Sequence, residues 1–174
     1  KKRASSLLFS LGIFASFLSV FVTFAGYFGS ENFYIWMGSE PEVVEQGSLY
    51  FKILSLGILV IFIDALLYNA LSAAGDTKSS LYIKLFSAFL NAFLNYVLIF
   101  GHFGFEAMGI EGAAIATVIA YAFNVLAYLV LLKLPHSKLN FIPIVRIKDL
   151  KRVWHVGWSA ALDRFISSIS FLFF

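Results

Sequence analysis

The stretch LYIKLFSAFLNAFLNYVLIF, residues 81–100, decides the fold. It contains no acid and a single base, Lys84, and its only other polar groups are Ser87, Asn91, Asn95 and two tyrosines. Twenty helical residues rise about 30 Å, the thickness of a bilayer's hydrocarbon core. Backbone amides in hydrocarbon must be paired within the segment, which selects helix over strand. The polar/apolar alternation of a barrel strand is absent.

The same pattern recurs on both sides. Spans are predicted at 7–28, 49–73, 81–100 and 112–132, and a fifth begins near 153 and runs to 174. The fold class is therefore all-α, a polytopic transmembrane helix bundle. Composition agrees: 60% of the 174 residues are hydrophobic, 13% are charged, and 21 are Phe. A soluble domain carries roughly a quarter charged residues to cover its water-facing surface. With no Cys there are no disulfides, thiolate metal sites or Cys nucleophiles. The chain begins at Lys1 and ends inside an apolar run, so both ends are expected to be cuts in a longer protein. The opening Lys1-Lys2-Arg3 imitates the start of a signal peptide but is expected to lead into a span, because the apolar run is longer than such a segment's and no cleavage site follows.

The loops sort by charge. All but two of the thirteen basic residues, Lys52 and Arg164, precede the first span, flank the 74–80 turn, or sit in the 133–152 segment. The intervening loops carry Glu31, Glu40, Glu42, Glu45, Glu106 and Glu111 and no base. The positive-inside rule then places the N-terminus and the 134–152 linker in the cytoplasm of a plasma (inner) membrane protein. This placement accounts for the net charge of +3 through topology, with the lipid bilayer as partner and no nucleic acid. The linker holds Pro135 and Pro143, and its end reads as an interfacial helix followed by Trp154 and Trp158.

Ionisable groups inside a bilayer are costly and point to function. Asp64 lies midway along the second span, with Tyr68 and Ser72 on its face, and Asp163 lies in the fifth. Each reads either as a proton- or sodium-binding carboxylate facing a wet cavity, or as a structural partner: of hydroxyls for Asp64, of Arg164 or another helix for Asp163. Asn91 and Asn95, four apart, share a helical face, and Thr117, Tyr121 and Asn124 form a second stripe. Such groups either bond helices together or line a cavity. Gly112, Ala116 and Ala120 repeat every four residues and favour close helix approach, as do Ala15, Ser19 and Thr23. The three histidines share no ligand spacing, so no metal site is expected. No phosphate loop, nucleophile elbow or paired catalytic carboxylates occur, which argues against an enzyme.

Three motifs resemble one family. Leu71-Ser-Ala-Ala-Gly-Asp-Thr-Lys78 is similar to the cytoplasmic turn after the fourth helix of multidrug and toxic compound extrusion (MATE) transporters. Leu90-Asn-Ala-Phe-Leu-Asn-Tyr-Val-Leu-Ile-Phe-Gly101 resembles their fifth helix, and Met108-Gly-Ile-Glu-Gly-Ala-Ala-Ile-Ala-Thr-Val-Ile119 the start of their sixth. The resemblance implies a twelve-helix, two-lobe transporter of which this chain supplies helices three to seven. Residues 1–133 would give four helices of the N-terminal lobe, 134–152 the basic cytoplasmic linker, and 153–174 the truncated first helix of the C-terminal lobe. The remaining helices of the transporter would be its partners.

The resemblance also implies a function: H⁺- or Na⁺-coupled antiport that exports amphipathic organic cations by alternating access. No cofactor beyond the coupling ion is implied. Asn91 and Asn95 match positions of the family's N-lobe cation site, Thr117 matches a hydroxyl from the next helix, and Asp163 falls near an acidic seventh-helix position. Asp64 matches no family site. Two departures are present: Asn95 is not acidic, and Trp158-Ser159 stands where Pro is common. A flippase for lipid-linked sugars, from the same wider superfamily, and a non-transporting scaffold are the alternatives. The flippase would line its cavity with Arg and Lys, of which Arg164 alone lies well inside a span.

Overall fold

The computed structural model describes residues 2–134, with side chains from Leu8 onward. The fifth predicted span, the linker and Asp163 lie outside the described residues. Five helices follow one another: α1 (Lys2–Trp36), α2 (Pro41–Leu56), α3 (Ile58–Ala73), α4 (Thr77–Phe100) and α5 (Ile110–Lys133). α1, α4 and α5 are each long and apolar enough to cross a membrane, and α2 with α3, bent at the break between them, is apolar enough for a broken span or a re-entrant loop. No strand occurs among the described residues.

Two boundaries differ from the sequence reading. The acidic loop predicted between the first two spans shrinks to four residues, because α1 runs on to Trp36 and α2 starts at Pro41. Nothing in 29–36 breaks a helix, whereas Gly38 adopts φ +73° and lets the chain reverse. Its amide donates to Ile35 O at 2.9 Å, and Ser39 N donates to Tyr34 O at 3.2 Å. Pro41 then opens α2, where its missing N–H costs nothing. Glu31 thus lies near the end of α1, and Glu42 and Glu45 lie in the first turns of α2.

The second difference is a 58° bend between α2 and α3, inside what was predicted as one span. Gly57 sits at the break and is buried against α5. A Cβ there would lie 2.5 Å from Val118 Cγ2, so only glycine permits this approach. Thr23 of α1 donates its hydroxyl to Ser55 O at 2.7 Å, tying down a carbonyl beside the bend. Hydropathy averages over a window and cannot see a bend packed against a third helix.

The remaining turns are capped as their residues dictate. Asp76 accepts from Ser79 N at the start of α4, and Gly101 at φ +73° ends it. The loop then folds back, with Met108 N donating to Leu98 O at 2.9 Å. α5 is the hub, touching α2, α3 and α4, while α1 lies against α2 and α3. One apolar core joins Leu67, Leu71, Tyr128 and Leu132 with Leu8, and a second joins Val97, Leu98 and Ala116. Large aromatics point outward, Phe17 at 78% exposure and Phe89 at 69% among them. That arrangement suits lipid, where no hydrophobic force drives such rings inside.

Candidate functional site

α4 places Lys84, Ser87, Asn91 and Asn95 at successive steps of three, four and four residues, which puts them on one face. α5 answers with Thr117, Tyr121, Asn124 and Tyr128 at steps of four, three and four. Small residues bring the two helices together. Gly112 is so close to Leu98 that a Cβ would lie 2.7 Å from its carbonyl carbon and oxygen, and Ala114 and Ala116 are fully buried. Close approach makes the backbone itself available: Ser87 Oγ donates to Ala120 O at 3.0 Å.

Beside this contact lies a cavity of about 220 Å³, lined by Lys84, Ser87, Asn91, Thr117, Tyr121 and Asn124. Asn95 Nδ2 donates to Asn91 Oδ1 at 3.2 Å, and Asn91 Nδ2 reaches Thr117 Oγ1 at 3.5 Å. Thr117 in turn donates to Ala113 O at 2.9 Å within its own helix. The chain of amides and hydroxyls is thus linked across α4 and α5, loosely at the Asn91–Thr117 step. Asn95 Oδ1 and Asn124 Oδ1 are buried with no protein partner among the described residues, as is the Tyr128 hydroxyl. Unmet acceptors in an apolar bundle are expensive, so each is a place for a donor or a cation.

Asp64 joins this site through a residue that sequence reasoning assigned to topology. Its Oδ2 lies 2.6 Å from Lys84 Nζ, while Oδ1 is buried without a partner. The carboxylate is buried and the lysine side chain about one-third exposed. Lys84 Nζ also stands 5.5 Å from the centre of the Tyr68 ring and 5.2 Å from that of Tyr121. Of the two roles considered for Asp64 from sequence, neither named this lysine.

Three predicted site residues, Asn91, Thr117 and Tyr121, therefore line one cavity; Asn95 is tied to it through Asn91, and Asp64 reaches it from α3 through Lys84. Asp163 lies outside the described residues. Sequence reasoning missed Lys84 and Tyr128, and placed Asn124 on the α5 stripe without carrying it into the cation or substrate site. The signal for Lys84 was its register, three residues before Ser87 and seven before Asn91, which carries it onto the polar stripe. A larger opening, about 620 Å³, lies at the far end between α1 and α2, lined by Glu31, Ser39, Glu45 and Lys52. It is a cleft at the tip of the hairpin, away from the α4–α5 stripe.

Comparison with known proteins places these features in a family context. The family model MatE matches residues 1–97. The chain is 28% identical over 176 residues to the probable multidrug resistance protein NorM of Thermotoga maritima, covering all of this chain and 38% of that protein. It is 37% identical over 111 residues to the probable multidrug resistance protein NorM of Bacillus cereus, covering 64% of this chain and 24% of the relative. A solved inward-facing conformation of a multidrug resistance MATE family transporter of the MOP superfamily superposes with a TM-score of 0.75. At 18% identity, over 89% of this chain and 41% of that one, the likeness is one of fold. The chain spans less than half the length of these relatives.

Proposed function

The chain belongs to the MatE family and is a multi-pass membrane protein, and on that premise we propose that it supplies part of an exporter of amphipathic organic cations, driven by inward H⁺ or Na⁺ movement. The supporting observation is the α4–α5 cavity, lined by Asn91, Thr117, Tyr121 and Asn124, where Asn124 keeps a buried, unpartnered oxygen and Asn95, bonded to Asn91, keeps another one turn further along α4. Neutral oxygens suit a cation that must be held and then released, and the tyrosine faces suit an organic ammonium. The relatives named as multidrug resistance proteins favour the same reading.

In this reading residues 1–133 contribute four helices of the N-terminal lobe, and 134–152 is the cytoplasmic linker to a second lobe that begins at 153. The N-terminus is cytoplasmic. The lobes rock about a central site, so that the coupling ion and the substrate occupy it in turn. Asn91, Asn95 and Thr117 serve the ion, Tyr121 the substrate, and Asp163 the second lobe. No covalent step is involved, and no cofactor beyond the coupling ion. The flippase alternative would need net positive charge in the cavity. Lys84 lines it, but Asp64 neutralises that lysine at 2.6 Å, which favours the exporter.

The test uses the full-length protein in inside-out vesicles, following uptake of a fluorescent organic cation under an imposed pH or sodium gradient. Gradient-dependent uptake supports the exporter, and the effective gradient names the ion. Absence of uptake under both gradients, from protein shown to be folded, sinks the reading. Uptake that Asn91→Ala leaves untouched removes Asn91 from the site.

A further inference from the structure

We propose that Asp64, Tyr68 and Tyr121 form a receptor for a primary ammonium group, which Lys84 fills from within the chain, so that a short alkylammonium ligand competes with the lysine for the carboxylate. The exporter reading supplies the reason such a site is useful; the site itself is argued from its geometry.

A carboxylate flanked by aromatic faces is what recognises an ammonium: the acid accepts its N–H donors and the rings meet its positive charge. Here Lys84 Nζ takes that place, 2.6 Å from Asp64 Oδ2 and between two tyrosine rings at 5.5 and 5.2 Å. The occupancy is incomplete. Asp64 Oδ1 is buried and accepts nothing from the described residues, although an ammonium with three donors can serve both oxygens. The tether of the lysine holds its head on one oxygen only, whereas a free amine is not so constrained.

The site is also reachable. Asp64 is sealed on α3, but the Lys84 side chain lines the α4–α5 cavity together with Tyr121. An incoming head group therefore approaches from the cavity, through the position the lysine now holds. Lys84 has somewhere to go: it lies seven residues into α4, about 10 Å from the Thr77 end, and its four-carbon stem can extend toward that end. The cavity is about 220 Å³, below the roughly 300 Å³ at which pockets take whole drug-sized molecules. It fits an ammonium head with a short alkyl tail. Quaternary ammonium ions lack the N–H donors that Asp64 needs, so they are disfavoured.

The experiment measures binding by calorimetry to the full-length protein in lipid nanodiscs, with n-butylammonium as ligand and tetramethylammonium as control. Self-occupancy lowers apparent affinity by the fraction of time the site stands empty, so Lys84→Met is expected to tighten n-butylammonium about tenfold or more. Tetramethylammonium should gain much less, and adding Asp64→Asn to Lys84→Met should abolish the gain. Lys84→Gln, whose neutral amide holds Asp64 more weakly than the ammonium does, should show a smaller gain in the same direction if the methionine variant does not fold. The proposal is overturned if the folded variants bind n-butylammonium no tighter than wild type, or if the gain survives removal of the Asp64 charge. Because no gradient is involved, a gain in binding without gradient-driven uptake sinks the exporter reading alone. Uptake without the gain sinks this proposal alone.

Discussion

The α1–α2 hairpin and the α3–α5 group both bury polar side chains, but they satisfy them differently. In the hairpin, Ser16 donates to Gly12 O at 2.8 Å, Ser19 to Ser16 O at 2.7 Å, Ser48 to Glu45 O at 3.0 Å and Ser55 to Phe51 O at 2.8 Å. Each of these four hydroxyls folds back on its own helix, whereas Thr23 reaches across the hairpin to Ser55 O at 2.7 Å, a bond between two fully paired groups. In α3–α5 the polar groups reach across: Lys84 to Asp64, Ser87 to Ala120, Asn91 to Thr117. The four buried side-chain oxygens without a protein partner among the described residues, on Asp64, Asn95, Asn124 and Tyr128, all lie in this second group. A self-satisfied hydroxyl is small and leaves the helix surface smooth, so it serves packing. A group with unmet capacity in an apolar bundle is stable only if something else can meet it.

The sharpest way to break that contrast is Asp64→Leu. It removes the buried carboxylate that holds Lys84, and because that side chain is one-third exposed and can turn toward the Thr77 end, the loss should be about 1.5–3 kcal/mol, read as a fall in melting temperature of the full-length protein in nanodiscs. The double variant Asp64→Leu with Lys84→Met should recover most of that loss while remaining impaired in organic-cation uptake. A single variant that melts like wild type would place Asp64 with the self-satisfied residues and dissolve the distinction.

A smaller effect tests whether the second group depends on close backbone approach. Gly112→Ala puts a methyl 2.7 Å from the Leu98 carbonyl, which is itself fixed by Met108 N. Overpacking of this kind costs about 1–3 kcal/mol, measurable by the same melting experiment. It should also lower uptake, because the Asn91–Thr117 step spans the same pair of helices.

Asn91→Ala reads function and stability side by side. Loss of the side chain removes the long 3.5 Å contact to Thr117 and the 3.2 Å bond from Asn95, and should cost about 1–2 kcal/mol. Uptake should also fall about tenfold, equivalent to 1.4 kcal/mol of lost interaction. The least effect is expected in the hairpin. Ser19→Ala removes a hydroxyl bonded only within α1 and should change stability by less than about 0.5 kcal/mol, with uptake unchanged. A large loss there would show that the hairpin hydroxyls do more than fill space.

The α4 and α5 spans were legible to within a few residues, because each is a continuous apolar run with a capping residue or glycine at its start or end. Asn91, Asn95, Thr117 and Tyr121 were legible as stripes, because residues three and four apart on a helix share a face whatever surrounds it. Lys84 was legible as a charge and misplaced in role. The positive-inside rule counts a lysine near a span's end without asking where its side chain turns, and this one turns inward to Asp64. Tyr128 follows Asn124 in register on the α5 stripe, but an aromatic in an apolar run looks the same facing lipid or core, and only packing shows it fully buried.

By itself, then, the sequence determined what depends on residues near one another along the chain: helical class, the apolar spans, and which polar residues lie on a common face. These follow from bilayer thickness and a 3.6-residue period, and both act locally. Only the tertiary structure decided the rest. The bend at Gly57 lies where Val118 of α5 packs so closely that no Cβ would fit, and Asp64 meets Lys84 because α3 and α4 are turned toward each other across a short hairpin. Those contacts depend on how each helix is rotated about its own axis relative to its neighbours. That rotation is fixed by the fit of small and large side chains between helices, and no single helix contains it.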